Sequence, residues 1–488
     1  MNFKSFYILF LTSLTLITCK KESDTCIQTK AYLGGEIINP ISSRLLLMKS
    51  RKVIDTIKLD KNNRFSHEFV DFTPGIYSFY DGHEVQFMLI QPNDSLLFRL
   101  NTIEFDESLV YTGRGARENN YLMNLFLENE QEEEDEKKIL TTSQLDPVPF
   151  QERLNKIRDD KLKKLEKFKL KYQTTPLFNA VAEANINYSY YSRKEFYPFA
   201  NYRKSEFDIF NSLPDDFYDY RKEIDYSSQL LEDYPPYSNF LRFHVTNIAF
   251  QNHMQHSDDY EYNEYSIDFN LDKLKTIDEV IGNEFQKNML LYSTLKHYID
   301  ISKTPNGYDE LFNSYKEKTT NKYQRRRAEK MVNVYKRLSP GLRIPALTLL
   351  DKNEQELSLT SLIKKPTVVY FWSSKSKIQI VSSHKRAALL QEKYPEVEFL
   401  AINIDSISYL EQTSLLNYYG IKNKAKEYRF KFPKKSREVL SIQPISKVFL
   451  IDENKRIINP KANMFNISFE QELLGALNRE YLQVHALN

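Results

Sequence analysis

Thr367-Val368-Val369-Tyr370-Phe371-Trp372-Ser373-Ser374-Lys375-Ser376-Lys377-Ile378-Gln379 decides how this chain reads. The first half is an apolar run of β-branched and aromatic residues, the length and composition of a buried strand. The second half is polar, and a helical pattern runs on from about Lys377 to Tyr394. Ser376 stands directly before that pattern, where a hydroxyl accepts a backbone N–H of the first turn and contributes about 1 kcal/mol as an N-cap. The stretch is strand, turn, helix.

Further along, Glu398–Ile404 and Lys447–Ile451 read as strands, while Leu410 to Tyr419 and Phe469 to Leu482 read as helices. Strands alternating with helices imply a partly parallel sheet. Upstream, Leu338-Ser339-Pro340-Gly341 marks a change of period. From about Glu118 to Leu338 the spacing is helical and tyrosine-rich, with Leu154, Ile157, Leu165, Phe168 and Tyr172 in one run. Ile277, Val280, Ile281, Phe285, Met289, Tyr292 and Leu295 form another, stronger run. Asp146-Pro147-Val148-Pro149 separates two helix groups, and Glu128 to Glu136 is an acidic, solvated run.

From Ala31 to Tyr111 short β segments alternate with turns: Arg44–Met48, Thr56–Leu59, Phe65–Phe69, Ile76–Tyr80, Val85–Ile90 and Ser95–Leu100. Regular short strands between turn signals suggest a small sandwich. The expected fold class is multi-domain α+β. It comprises a signal segment (1–18), a tether (19–30), a β-sandwich (31–115), a helical domain (116–340) and a C-terminal α/β domain (341–488).

A chain of 488 residues is too long for one ordinary core. Its net charge of +2 gives no nucleic-acid signal. With 33 Tyr and 32 Phe the chain has the aromatic content to fold. Glycine is scarce, and neither a P-loop nor a dinucleotide fingerprint is present, so no nucleotide partner or cofactor is expected.

The two cysteines, Cys19 and Cys26, both lie near the N-terminus. Lys4 and the apolar run Phe6 to Ile17 have the proportions of a signal-peptide core, too short to span a bilayer. Leu16-Ile17-Thr18-Cys19 resembles a bacterial lipobox, which implies lipidation of Cys19 and a membrane anchor. Lys20 to Asp24 would then tether the protein, and Cys26 would be its one free thiol.

Three segments in order carry a resemblance to a known family: Ile344-Pro345-Ala346-Leu347-Thr348-Leu349, Leu357 to Leu362, and Val368 to Trp372. With Val397 to Asp405 and Gln443-Pro444-Ile445-Ser446-Lys447-Val448-Phe449-Leu450-Ile451-Asp452, they resemble the TlpA/ResA-like branch of the thioredoxin superfamily over the last third of the chain. The sandwich and helical regions are similar to leader domains found before TlpA-like domains in envelope lipoproteins. The resemblance implies a cis-proline segment at Pro444, a peptide groove formed by Trp372, Gln443 and Pro444, and a location in the envelope. The outer membrane facing the periplasm is the expected site.

In that family a thiolate at a helix N-terminus attacks, and a second cysteine one turn on resolves the mixed disulfide. The matching positions here are Ser376 and Gln379, and Lys375 replaces the aromatic before the first cysteine. An unactivated hydroxyl stays protonated at neutral pH, and an amide can neither attack nor leave. No catalytic residue is therefore expected at this degenerate Cys-x-x-Cys. His384, eight residues beyond Ser376, lies about 12 Å along the helix, out of reach as a base.

His253 and His256 have i, i+3 spacing with Asp258 and Asp259 following, but the ligand set is incomplete and no metal is assigned. The aromatics Tyr188, Tyr190, Tyr191, Phe196, Tyr197, Phe199 and Tyr202 pack between helices or stack on sugars. Three readings follow: a redox-inactive, lipid-anchored protein that binds an envelope protein or extended peptide; an enzyme using Cys26 or a partner's thiol; and a glycan-binding helical domain.

Overall fold

The computed structural model describes residues 30–134, 142–201, 209–257, 262–421, 426–443 and 445–485. Cys19, Cys26 and Pro444 lie outside the described residues, as do Asp258, Asp259 and Tyr202. The chain divides into two compact units, Met1–Glu130 with Thr174–Phe178 and Gln131–Gln173 with Asn179–Asn488. Most of the helical segment beyond Glu130 and the C-terminal sheet thus belong to one unit. Among the described residues no helix is long and apolar enough to cross a membrane.

The first unit holds β1 (Lys30–Ile38), β2 (Arg44–Lys49), β3 (Lys52–Lys58), β4 (Arg64–Val70), β5 (Gly75–Tyr80), β6 (Val85–Ile90), β7 (Ser95–Asn101) and β8 (Val110–Arg114). They form two four-stranded sheets, ordered β4-β1-β7-β8 and β3-β2-β5-β6. Alternate residues of both sheets share one core, and Phe79 of one sheet stacks on Phe98 of the other with centroids 4.9 Å apart. The arrangement is a sandwich, as the alternation in sequence implies. Gly35 is required where β1 runs parallel to β7, because a Cβ there would lie 2.1 Å from the Phe98 carbonyl oxygen.

A short helix, α1 (Phe105–Ser108), precedes β8, and α2 (Ala116–Glu134) follows it. Two asparagines seat α2 on strand ends. Asn119 accepts from the Leu89 N–H at 2.8 Å and donates to the Leu89 carbonyl at 2.9 Å. Asn120 does the same for Tyr111 at 2.9 and 2.8 Å. Each side-chain amide satisfies the two backbone groups that a further strand would have satisfied.

The second unit opens with α3 (Pro147–Tyr172), α4 (Pro176–Asn201), α5 (Pro235–Met254), α6 (Ile267–Val280), α7 (Glu284–Ile301), α8 (Tyr308–Lys318) and α9 (Lys322–Arg337). The periodic run from Ile277 to Leu295 is two helices rather than one. The Gly282 and Asn283 N–H groups both donate to the Tyr226 carbonyl at 3.1 Å, and the Asn283 side chain caps α7. A Cβ on Gly282 would lie 2.1 Å from the Ser227 hydroxyl, so this crossing excludes a continuous helix with an ordinary side chain.

Between α4 and α5 the described residues form short 3₁₀ turns at Ile209–Ser212 and Asp219–Glu223. A buried charge network fastens the second turn. Glu195 on α4, with no exposed surface, accepts from Arg221 Nε and the Tyr220 hydroxyl at 2.9 Å, and from Asn247 at 2.7 Å. His244 Nδ1 lies 2.7 Å from the same carboxylate. Burial works against the charge, but Arg221 and then His244 outweigh it and hold the Glu195 carboxyl down to about 2.

Tyr188, Tyr190, Tyr191 and Tyr197 are buried, and Tyr191 stacks on Tyr220 at 4.2 Å. These four rings belong to the interior and are not free to stack on a sugar; among the described residues of the cluster, Phe196 is exposed and Phe199 partly so.

The remainder of this unit is a seven-stranded sheet ordered β10-β9-β13-β12-β11-β14-β15. Its strands are β9 (Thr348–Leu350), β10 (Glu356–Ser358), β11 (Thr367–Trp372), β12 (Glu398–Asn403), β13 (Lys426–Phe430), β14 (Lys447–Ile451) and β15 (Ile457–Asn463). The helices are α10 (Leu359–Leu362), α11 (Lys377–Lys393), α12 (Tyr409–Tyr418), α13 (Pro433–Val439) and α14 (Phe469–His485). β11, β12 and β13 are parallel neighbours, and β14 and β15 return antiparallel.

Both faces of the sheet are covered, which is why β11 reads as an unbroken apolar run. Val369, Phe371, Leu400 and Phe449 pack with Val334 of α9, while Val368, Tyr370, Trp372 and Phe399 pack with Ile380 and Leu390 of α11. Of the strands without a clear pattern in the sequence, β9 and β10 have three residues each, while β15 is longer but holds Pro460, a residue that suits its place at the sheet edge.

Candidate functional site

β11 ends at Trp372, and the turn Ser373–Ser376 carries the chain into α11. The Ser376 hydroxyl caps that helix, accepting from the Gln379 N–H at 3.4 Å. Gln379 reaches back across the turn. Its Nε2 donates to the Phe371 carbonyl at 2.6 Å and to Ser383 Oγ at 3.1 Å, and its Oε1 accepts from the Ser373 N–H at 3.2 Å. One amide thereby closes the end of the strand.

Asp405, just past β12, secures the other side of the turn. Its Oδ2 accepts from Ser373 Oγ at 2.8 Å, and from both the N–H and the hydroxyl of Ser374 at 2.7 Å. Three donors on one carboxylate oxygen make this turn a fixed platform.

Behind it lies a second polar cluster. Trp372 is fully buried, with its Nε1 donating to Glu427 Oε2 at 3.2 Å. This corrects the expectation that Trp372 lines a groove: its indole is part of the core on the α11 face. The Gln412 amide also donates to Glu427 Oε2, at 3.3 Å, and His384 Nε2 lies 3.0 Å from Oε1. His384 Nδ1 faces the Ile380 carbonyl at 2.7 Å. Acceptor oxygens thus face both ring nitrogens. His384 is therefore occupied and gives Ser376 no general base.

The antiparallel register of β14 on β11 sets Val448 opposite Tyr370. Because the two strands run antiparallel, the loop that precedes β14 lies at the end of the sheet where β11 runs out into Ser373–Ser376. Gln443 in that loop is exposed. Lys447, at the loop's other end, is buried and donates to the carbonyls of Leu440 at 2.9 Å and Ser441 at 3.1 Å. Burial, with Lys461 nearby, pushes its ammonium down to about 7. Lys461 holds the end of α7, donating to the carbonyls of Ile299 and Ser302 and to the Tyr308 hydroxyl.

The structure thus brings Ser376, Gln379 and Gln443 to one end of the sheet and withdraws Trp372 into the core. Glu427, Asp405 and Lys447 carry no signature in the sequence, since their partners lie far along the chain. What the arrangement offers, among the described residues, is a polar turn whose Ser376, Gln379 and Asp405 side chains are engaged in holding it together. The surface beside it presents exposed Lys375, Lys377 and Gln443.

Three parallel strands joined through helices, an antiparallel pair beyond and a terminal helix make up this region. No family model matches the chain, and no curated protein matches it. Among solved structures it is similar to a thioredoxin-like protein from Bacteroides caccae, at 12% identity over 58% of this chain and 92% of that one, with a TM-score of 0.35. It is also similar to the thioredoxin domain of a thiol-disulfide oxidoreductase from Bacteroides vulgatus, at 15% identity over 28% of this chain and 97% of that one, with a TM-score of 0.23. A candidate thiol-disulfide oxidoreductase from the same organism is similar at 20% identity over 29% of this chain and 98% of that one, with a TM-score of 0.26.

Proposed function

We propose that this is a lipid-anchored cell-envelope protein whose thioredoxin-like region lacks both redox cysteines and binds an extended peptide or protein segment. The observation that carries the reading is Gln379. The residue at the second redox position spends its amide on Phe371, Ser373 and Ser383, holding the turn rather than reacting. Ser376 spends its hydroxyl as a cap. A peptide would pair with the loop that carries exposed Gln443, taking affinity from main-chain bonds and selectivity from side chains. Trp372 supports that end of the sheet from inside. The anchor is Cys19, and the expected address is the outer membrane facing the periplasm.

In-cell photocrosslinking tests the reading. A photoreactive residue replaces Gln443, with exposed Lys393 as the control, at the end of α11 about 24 Å along the helix from its start at Lys377. A discrete adduct from position 443 alone supports the binding role. No adduct from either, with the protein anchored and folded, overturns it. The alternative, an enzyme borrowing Cys26 or a partner thiol, requires that Cys26→Ser abolish disulfide exchange. The glycan reading retains only the exposed rings of the helical segment.

A further inference from the structure

α5 and α6 meet at a cluster unrelated to the sheet. His253, in the last turn of α5, is buried with 1% of its surface exposed, and its Nδ1 lies 2.7 Å from Asp272 Oδ2 on α6. His256, one turn on and exposed, directs Nε2 to the same oxygen at 3.1 Å. One donor atom from each of the three residues lies within 4.8 Å of the others. His253 Nε2 is buried and, among the described residues, has no hydrogen-bond partner.

We propose that His253, His256 and Asp272 bind a zinc-class divalent cation, with the fourth position open to water. The donor set is two imidazoles and a carboxylate, the combination that suits zinc with one open site. A tetrahedral zinc with bonds of about 2.0–2.1 Å holds its donors about 3.3 Å apart. The two nitrogen-to-oxygen distances, 2.7 and 3.1 Å, both fall a little short of that spacing, so a slight outward shift of Asp272 or His256 admits the ion.

Rigidity favours the site. The His253 ring meets Phe269 edge-on at 5.9 Å and His256 at 5.6 Å, which fixes its one engaged nitrogen toward Asp272. The end of α5 also carries the negative pole of the helix, because its last carbonyls lack intrahelical partners. A cation there is stabilised by that pole as well as by Asp272.

The unpartnered His253 Nε2 sets the strength. Ligating histidines ordinarily donate their other N–H to an acceptor, and loss of that support costs 10- to 100-fold in affinity. Binding is therefore expected to be weaker than in a fully braced centre. The bound ion would pin α5 to α6, a role independent of the thioredoxin-like region.

Calorimetric titration of the chelator-treated full chain with Zn2+ tests the site, with the visible bands of tetrahedral Co2+ as a second readout. One ion per chain is expected. His256→Ala and Asp272→Asn should each weaken it at least about tenfold and remove the Co2+ bands, while the exposed control His83→Ala should not. His256 is exposed, so its replacement leaves the fold intact. No uptake by the natural chain, or uptake unchanged in both His256→Ala and Asp272→Asn, overturns the proposal.

Discussion

The Lys447 ammonium lies 4.7 Å from the centroid of the Tyr335 ring. Lys461 lies 4.6 Å from the same ring, so one tyrosine of α9 sits between two lysines of the sheet. Burial pushes Lys447 down to about 7 and Lys461 to about 8, from an ordinary value of 10.5. Between those values and 10.5 the unfolded chain holds more protons than the folded one. Stability must therefore rise with pH across that window, by up to about 1.4 kcal/mol per pH unit for each group. Urea midpoints followed by the single tryptophan, Trp372, should climb from pH 7 to pH 9.5. Lys447→Met should flatten the lower part of that rise; an unchanged slope would show that the ammonium is not the source.

Asn119 gives a sharp test of how α2 is seated. Asn119→Ala leaves the Leu89 N–H and carbonyl without their side-chain partner in the buried interior of the sandwich. Leaving such groups unsatisfied costs about 1–3 kcal/mol each. A loss of ~2–4 kcal/mol is expected in chemical unfolding of the first unit, against under ~1 kcal/mol for an exposed asparagine such as Asn62.

Glu195→Gln removes the charge that Arg221 and His244 are buried against. Breaking one side of a buried pair costs about 3–5 kcal/mol. With the Glu195 carboxyl held down to about 2, its stabilisation is fully present above the usual carboxylate range and is lost as pH falls through about 2. The variant should unfold at markedly lower urea at neutral pH, and the difference from the natural chain should shrink below pH 4.

Restoring thiols separates fold from chemistry. Helical i, i+3 spacing at Ser376 and Gln379 gives Cα atoms about 5 Å apart, within disulfide range. The doubly substituted chain Ser376→Cys with Gln379→Cys, made in a Cys26→Ser background, should acquire an exchangeable disulfide. Loss of the Gln379 bonds should lower its stability by ~1–2 kcal/mol. The Cys26→Ser chain itself should show no disulfide exchange; exchange above the uncatalysed rate would refute the redox-inactive reading.

What was legible in the sequence was what neighbouring residues determine. The Ser376 cap, the β11 strand and the α11 helix follow from period and composition over a dozen residues. The sandwich strands do too, because turns punctuate them. The Ile277–Leu295 run reads as one helix because its apolar spacing is continuous; the break comes from Tyr226, some fifty positions earlier in the chain. Trp372 reads as a groove residue until Glu427 and α11 are seen to enclose it. Pairs such as Glu195 with Arg221, or Lys447 with Tyr335, leave no local trace, since no periodicity links residues so far apart. The His253–His256 spacing was visible, but Asp272 enters only when α6 folds back on α5.

Lys447 serves two masters. It grips the carbonyls of Leu440 and Ser441 on one side and faces Tyr335 of α9 on the other. One side chain thereby joins the loop before β14 to α9, so displacing that loop would break contacts on both sides of Lys447 at once.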